Sequence, residues 1–269
     1  MLEQSVRVSG AIVSWSLSPT KREELEKLYN FCGLSNFLPG ETTDVAALRA
    51  AMEDVKGKNQ RVEALEKPSK HGYEIVLIER GKVHNDHTTS FTARVEDGVV
   101  HTGWGYTDDQ ALQERYDYRK SLLSPSSVSD SLGKIALYMN GTCLYPGTFW
   151  IPQAKMDSWE YLAREIEAIG EGKNRMRRLS TVFDEQTMEE VRQGITEEVK
   201  RTAEAMMAEI GTGELGERAL ESRKKRALEL ERRVETYEGI LEHSLDDLRE
   251  EIKKVQEVCC ILTMQTTGM

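Results

Sequence analysis

The chain contains one dense cluster of side chains that could bind a metal ion, His84-Asn85-Asp86-His87. Imidazole nitrogens and a carboxylate are ligands that a metal-dependent hydrolase uses. An extended strand would place His84 and Asp86 on one side and His87 on the other, whereas a loop could bring all three together. No second motif matches the cluster. A metal-dependent hydrolase built on His84, Asp86 and His87 is therefore an alternative to the main hypothesis below.

A short basic segment offers a different chemistry. Lys173, Arg175, Arg177 and Arg178 lie in a stretch that is typical of a β-strand, and alternation would place Arg175 and Arg177 on one face. Guanidinium groups in that arrangement could bind phosphate or RNA. The formal net charge of -10 opposes nucleic-acid binding over the whole surface. A nucleic-acid-associated protein that uses Arg175, Arg177 and Arg178 is the other alternative.

The segment from Gly211 to Gly216 reads GTGELG and matches the G-x-G-x-x-G motif of dinucleotide-binding proteins. That motif requires a preceding β-strand, because the pyrophosphate binds where a strand leads into a helix. A helical pattern precedes it here, which predicts a turn between two helices. The sequence also lacks the G-x-S-x-G, G-x-x-x-x-G-K-[ST] and H-E-x-x-H motifs. We therefore expect no cofactor, assign no catalytic residue and favour a protein that is not an enzyme.

An apolar seam runs through the charged C-terminal third of the chain. Its members recur every three or four positions, which is the pattern of helices that pack along their length. A helix of this kind needs a partner, from this chain or from another, because isolated helices are marginally stable in water. The residues of this predicted interaction seam are Leu230, Val234, Tyr237, Leu241, Leu245, Leu248, Ile252 and Val255.

The remaining pattern predicts an α+β fold. Asp97-Gly98 indicates a hairpin, and a second hairpin places Phe149 and Trp150 on opposite faces of one strand. A further strand is predicted over 175–183. A helix that begins at Thr187 and a final helix that runs to about Ile261 form a long antiparallel α-hairpin, or coiled coil. We predict a mostly antiparallel sheet with several helices in residues 1–184, followed by a helical hairpin in residues 185–269.

The hairpin and its flanks carry a resemblance. Gly147, Phe149, Trp150, Ile151 and Pro152 match a G-x-(Y/F)-(F/W)-(V/I)-P pattern that is followed by a long helical region. In this respect the segment resembles uncharacterised proteins of phages and bacterial mobile elements. The resemblance implies a phage protein in a defence or counter-defence setting, and it implies no activity and no catalytic residue.

The main hypothesis follows from the long amphipathic helices and the lack of catalytic motifs. We expect a protein-interaction or assembly protein whose globular part binds a protein partner, and whose hairpin assembles subunits into a homo-oligomer or docks onto a complex. No segment approaches the ~18 apolar residues of a membrane span, so no membrane is involved. The N-terminus lacks a signal peptide, and the four cysteines lack C-x-x-C spacing. These features predict a cytoplasmic protein.

Overall fold

The computed structural model describes residues 8–58, 60–65, 72–80, 85–103, 109–170, 173–182, 185–211, 217–241 and 245–266. The strands are β1 (Val8–Ser16), β2 (Thr20–Lys21), β3 (Gln60–Ala64), β4 (Gly72–Arg80), β5 (Asn85–Glu96), β6 (Val99–Thr102), β7 (Leu122–Leu123), β8 (Thr142–Tyr145), β9 (Thr148–Pro152) and β10 (Arg175–Val182). The helices are α1 (Arg22–Phe31), α2 (Asp44–Val55), α3 (Asp109–Lys120), α4 (Pro125–Tyr138), α5 (Met156–Ile169), α6 (Glu185–Gly211), α7 (Glu217–Leu241) and α8 (Asp246–Thr266). The predicted class, α+β with antiparallel sheets, is confirmed, and the C-terminal helices are consistent with a helical hairpin. Within the described residues, no helix is both long enough and apolar enough to cross a membrane.

The chain divides into two compact units. The first consists of Met1–Ser16, Leu132–Arg164 and Arg175–Met269, and the second consists of Leu17–Ser131 and Glu165–Asn174. The boundary predicted at residue 185 lies inside the first unit. The C-terminal helices therefore belong to the same unit as the strands β1, β8, β9 and β10.

The second unit is built on an antiparallel meander of β3, β4, β5 and β6. Helices α2 and α3 pack on one face of this sheet and bury Phe91, Ala93 and Val100 against Leu48 and Leu112. The predicted Asp97-Gly98 hairpin is confirmed, since both residues have positive φ angles and join β5 to β6. A short antiparallel pair, β2 and β7, completes the strands of this unit.

The first unit contains a four-stranded antiparallel sheet in the order β10-β1-β9-β8. Its elements follow along the chain as β1, α4, β8, β9, α5 and β10. This βαββαβ succession is the ferredoxin-like, or split βαβ, topology. Most of the second unit, residues 17–131, lies in the chain between β1 and the part of α4 that belongs to the first unit. The two strands that pair with β1 in the sheet, β9 and β10, are therefore distant from it in the chain.

Helices α4 and α5 pack on one face of this sheet, which we call the α4/α5 face. Trp15 stacks on Phe149 with 5.4 Å between ring centroids and 11° between ring planes. The ring centroid of Trp159, on α5, lies 5.8 Å from that of Trp15. A Cβ atom built on Gly133 of α4 would lie 3.2 Å from Phe149 Cζ, so this helix packs closely on β9. An aromatic cluster thus fills the space between the sheet and these helices.

Helices α6, α7 and α8 form a layer that packs on the opposite face. The Trp150 and Tyr237 rings are 6.1 Å apart, and the Trp150 indole Nε1–H donates to Thr181 Oγ1 at 3.1 Å. Gly194 of α6 permits a close approach to β8, because an added Cβ would lie 3.1 Å from the Cys143 carbonyl oxygen. Phe149 and Trp150 therefore point to opposite faces, as the alternation predicted.

Polar contacts fix the directions of the three helices. Arg223 contacts Glu209 at 2.7 Å, and further along α7 the partner of Arg233 is Glu198, so α6 and α7 run antiparallel. Helices α7 and α8 are also antiparallel, since Arg249 pairs with Glu238. The final helix was predicted as one element to about residue 261, and this detail was wrong. The helix ends at 241, and α8 folds back along α7 and also packs on α6.

The predicted seam is buried inside the chain. Its described side chains are at most 6% exposed and share one core cluster with Val191, Ile195 and Val199 of α6. The backbone of Leu241 ends α7, and its side chain lies outside the described residues. The partner that the seam requires is therefore supplied by the same chain. The buried members are Leu230, Val234, Tyr237, Leu245, Leu248, Ile252 and Val255.

A buried ion pair joins the helical layer to the end of α4. Arg233 contacts Glu198 with nitrogen–oxygen distances of 2.5 and 3.0 Å, and it also donates to the Gly141 carbonyl oxygen at 3.0 Å. The Tyr237 hydroxyl donates to the Asn140 carbonyl oxygen at 2.7 Å. Burial disfavours the charged guanidinium, but the Glu198 carboxylate more than compensates and raises the pKa of Arg233. Burial also raises the pKa of Tyr237, so its hydroxyl keeps the proton that it donates.

Substitution of Leu248 by Asp should destabilise the fold. The mass of the folded protein in solution, which reports its assembly state, should not change. A buried unpaired carboxylate costs about 4 kcal/mol, a large part of the stability of a typical domain. Leu228→Asp is the control, because Leu228 is 49% exposed on α7. Thermal unfolding and light scattering measure the two effects. A stable Leu248→Asp variant with a smaller assembly mass would show that the seam lies between chains.

Substitution of Arg233 by Ala should cost about 3–5 kcal/mol, because it leaves Glu198 buried without its partner. The double variant Arg233→Met with Glu198→Met should recover most of that loss, since neither charge of the buried pair is then left without its partner. Arg232→Ala, on the exposed side of α7, is the control. Urea unfolding measures all three variants. Equal stability of Arg233→Ala and Arg232→Ala would contradict a structural role for the Arg233–Glu198 pair.

Candidate functional site

Exposure increases steadily along one row of residues across the sheet of the first unit. Thr142, Trp150, Ile12 and Leu179 are register partners on β8, β9, β1 and β10, and all face the helical layer. Thr142 and Trp150 are buried, Ile12 is half-buried and Leu179 is 66% exposed. The helical layer thus covers the β8 and β9 side of this face and leaves the β10 side open.

The neighbouring row shows the same trend with polar residues. Ser14 pairs with Thr148 on one side and with Arg177 on the other. Ser14 and Thr148 are half-buried, whereas Arg177 is exposed. Leu179 and Arg177 thus lie two residues apart on the same face of β10. We call Ile12, Ser14, Arg177 and Leu179 the open strip.

The structure separates the predicted basic residues. Arg175 and Arg177 lie on the face of the open strip, as the alternation predicted, and both are exposed. Arg178 lies on the α4/α5 face, where its guanidinium forms an ion pair with Glu160 and donates to Ser180 Oγ at 3.2 Å. The three arginines therefore do not form one cationic patch. Arg177 forms no ion pair with any residue that the structure describes.

The strand β10 lies at the edge of its sheet. Within the described residues it pairs with β1 on one side only. An edge strand presents backbone N–H and C=O groups that can pair with another extended segment. Arg177, Arg178, Leu179 and Ser180 are all exposed, so side chains do not cover this part of the strand. Charged residues such as these arginines are a usual way to limit unspecific pairing at an edge.

A groove continues from the open strip under α6. Its floor contains Ile12, Leu144 and Trp150, and its wall contains Thr187 and Val191. The open volume is about 650 Å³, counted with the solvent in its mouth. The Tyr145 hydroxyl lies 3.4 Å from Glu190 Oε2 at the rim. The combination of an apolar floor and a polar rim suits an apolar side chain.

The predicted metal cluster lies outside the described residues. The backbone of Asp86 and His87 belongs to β5, but His84 and the side chains of all three residues are not among those that the structure describes. Elsewhere in the described part of the chain, no group of three or more His, Cys, Asp or Glu side chains could bind a metal ion. The G-x-G-x-x-G segment lies between α6 and α7, and residues 212–216 are also outside the description.

Three of the four cysteines are poor candidates for nucleophiles. Burial raises the pKa values of the Cys32, Cys143 and Cys259 thiols, which lowers the thiolate fraction near neutral pH. Cys143 lies beside the groove, and its Sγ is 3.3 Å from the Tyr145 carbonyl oxygen. A reactive cysteine requires a lowered pKa, so these thiols behave as structural groups.

Sequence reasoning missed Leu179 and Ile12. Both have the composition of core residues, and nothing local indicates that the helical layer stops between β1 and β10. The strand order would have been the decisive signal, because it places Leu179 at the sheet edge.

Substitutions along the exposed row should differ in their effect on stability. Leu179→Ser should change the free energy of unfolding by less than about 0.5 kcal/mol, because the side chain already contacts water. Ile12→Ser should cost about 2 kcal/mol, since Ile12 packs against the core of the helical layer. Urea unfolding measures both. A loss for Leu179→Ser as large as that for Ile12→Ser would show that β10 is covered in solution.

One protein family covers nearly the whole chain. No curated protein and no solved structure matches the chain. A family model described as a family of unknown function, DUF6744, matches residues 8–268. The match includes both units and extends from β1 through α8. The chain therefore belongs to the DUF6744 family.

Proposed function

We propose that the chain is a non-enzymatic protein-interaction protein that binds an extended segment of a partner along β10. The observation that carries this proposal is the open strip, where an arginine and a leucine lie exposed on one face of an edge strand. The partner segment adds a strand to the sheet. Main-chain hydrogen bonds supply affinity in such complexes, and alternate side chains supply specificity.

The chemistry of the open strip defines the partner segment. Arg177 favours an acidic side chain, because a carboxylate can accept two hydrogen bonds from one guanidinium. Leu179, the exposed leucine two positions along β10, favours an apolar side chain two positions away in the partner segment. The preferred segment therefore has an acidic and an apolar residue two positions apart, both on the face toward the strip, with the residue between them on the other face.

A second copy of the chain fits this edge less well. Antiparallel pairing of two β10 strands about Arg178 would bring two Arg178 residues directly opposite each other. Like charges at directly opposed positions destabilise a sheet. The seam that predicted a homo-oligomer is also buried within the chain. These two features favour a different, acidic protein as the partner.

The aromatic residues of the sheet favour a protein partner over RNA. Split βαβ domains that bind RNA stack bases on aromatic side chains of the open sheet face. Here Trp15 and Phe149 lie under α4 and α5, and Trp150 is 1% exposed under the helical layer. The open strip itself contains no aromatic residue, and Arg178 is engaged by Glu160.

Two synthetic peptides of strand length test the proposal. In one, Glu and Ile lie two positions apart on the same strand face, and the other has Lys in place of that Glu. The Glu peptide should bind about tenfold more tightly, which corresponds to one charge-assisted contact of ~1.4 kcal/mol. The variant Arg177→Glu should reverse the preference. Arg94→Glu, an exposed position on β5, is the matched control. Fluorescence anisotropy at fixed ionic strength measures the affinities.

Equal affinities for the two peptides, or the same reversal in the Arg94→Glu variant, would contradict the proposal. A labelled single-stranded RNA is the third probe. RNA binding that disappears in Arg177→Glu, together with no binding of either peptide, would replace the proposal with the nucleic-acid alternative.

A further inference from the structure

The second unit contains a cleft that has no part in the proposed partner surface. It lies where the β2–α1 junction and the end of α3 meet Ile169, Gly170 and Lys173. Its open volume is about 720 Å³, counted with the solvent in its mouth. We infer that this cleft binds a phosphate-bearing small molecule.

Charge is the first reason for this assignment. Lys21, Arg119 and Lys173 line the cleft, whereas Glu24 is the one carboxylate among the described residues that line it. A local excess of positive charge is notable in a chain whose formal net charge is -10. A phosphate dianion accepts hydrogen bonds from several such donors at once. The three cations come from three separate chain segments, so the fold and not a basic sequence run brings them together.

The existing ion pairs of these cations leave some of their N–H groups available to an anion. The Lys21 ammonium is 3.6 Å from Glu24, which is longer than a normal hydrogen bond. Lys173 is exposed and forms no ion pair within the described residues. Arg119 is oriented by Asp54, whose carboxylate accepts from its Nε at 2.7 Å and from its Nη2. Asp54 does not line the cleft, so it holds the guanidinium in place from outside.

A buried asparagine makes the cleft a rigid structure. Asn174 is fully buried, and its Oδ1 accepts from the Ser18 backbone N–H at 2.8 Å and from the Ser18 hydroxyl at 2.9 Å. Its amide Nδ2 donates to the Ile166 carbonyl oxygen at 2.9 Å. Gly170 allows this arrangement, because a Cβ there would lie 2.3 Å from Asn174 Cγ. Lys173 and the Ser18–Lys21 segment are thus held together before any ligand binds.

Apolar surface beside the cations admits the rest of such a molecule. Tyr118 is 56% exposed at the cleft, and Leu122 and Ile169 also line it. An exposed aromatic ring next to a phosphate site can stack on the ring of a nucleotide. Inorganic phosphate and adenosine monophosphate therefore serve as two probes, and their relative affinities identify whether the organic part contributes.

Isothermal titration of the full chain at low ionic strength tests the inference. Lys21→Ala and Lys173→Ala should each weaken phosphate binding about five- to tenfold, because each removes a charged donor. Lys58→Ala, an exposed lysine of the same unit outside the cleft, should leave the affinity unchanged. Glu24→Gln should strengthen binding several-fold, since it removes the competing carboxylate. Glu23→Gln is its control, because Glu23 pairs with Lys27 and does not line the cleft.

Two results would overturn the inference. One is the absence of measurable binding of both phosphate probes at millimolar concentration. The other is an equal loss of affinity in the Lys58→Ala and Lys173→Ala variants, which would mean that general surface charge attracts the anion. Circular dichroism of each variant confirms that the fold is retained, so a loss of binding reports on the cleft itself.

Discussion

The contact of α7 with the end of α4 is the constraint on which the first unit depends. Arg233 and Tyr237 lie one helical turn apart and both donate to carbonyl oxygens of the Asn140-Gly141 turn. Asn140 has a φ of 58°, a left-handed conformation that asparagine tolerates better than most residues and that ends the helix. Glu198 then holds Arg233 in place from α6. Two helices of the layer are thereby fixed at the β8 side of the sheet.

The open strip is a consequence of this position. Because the layer is fixed over β8 and β9, with Trp150 against Tyr237, it does not extend over β10. On the opposite face, Trp15, Phe149 and Trp159 fill the space under α4 and α5. The sheet thus combines one filled face with one half-covered face. In a split βαβ fold, which serves many unrelated functions, the uncovered part of the sheet is the natural place for a partner.

Local pattern predicted the elements well and their assembly poorly. The strand over 175–183, its alternation at Arg175 and Arg177 and the Asp97-Gly98 turn all follow from residue type and spacing. The sheet order does not, because β1 is separated from β8 by most of the second unit. The apolar seam predicted a helical partner, but the same pattern suits a partner within the chain or outside it.

The candidate sites show the same limit. Arg177 was visible in the sequence as part of a basic strand, whereas the pairing of Arg178 with Glu160 depends on how α5 packs. The cations of the cleft in the second unit were invisible as a group, since Lys21, Arg119 and Lys173 are far apart in the chain. Long-range packing decides which charges are neutralised and which remain available, and a single sequence does not encode that outcome locally.

Amide hydrogen exchange of the full chain is the decisive test of strand addition at β10, measured with and without a saturating peptide that has Glu and Ile two positions apart on one face. The peptide should slow exchange in residues 176–181 and in the adjacent strand β1, and it should leave the amides of α7 and α8 unaffected. Protection that instead appears on the outer surface of α7 or α8, or no protection at β10, would contradict a partner site at the open edge of the sheet.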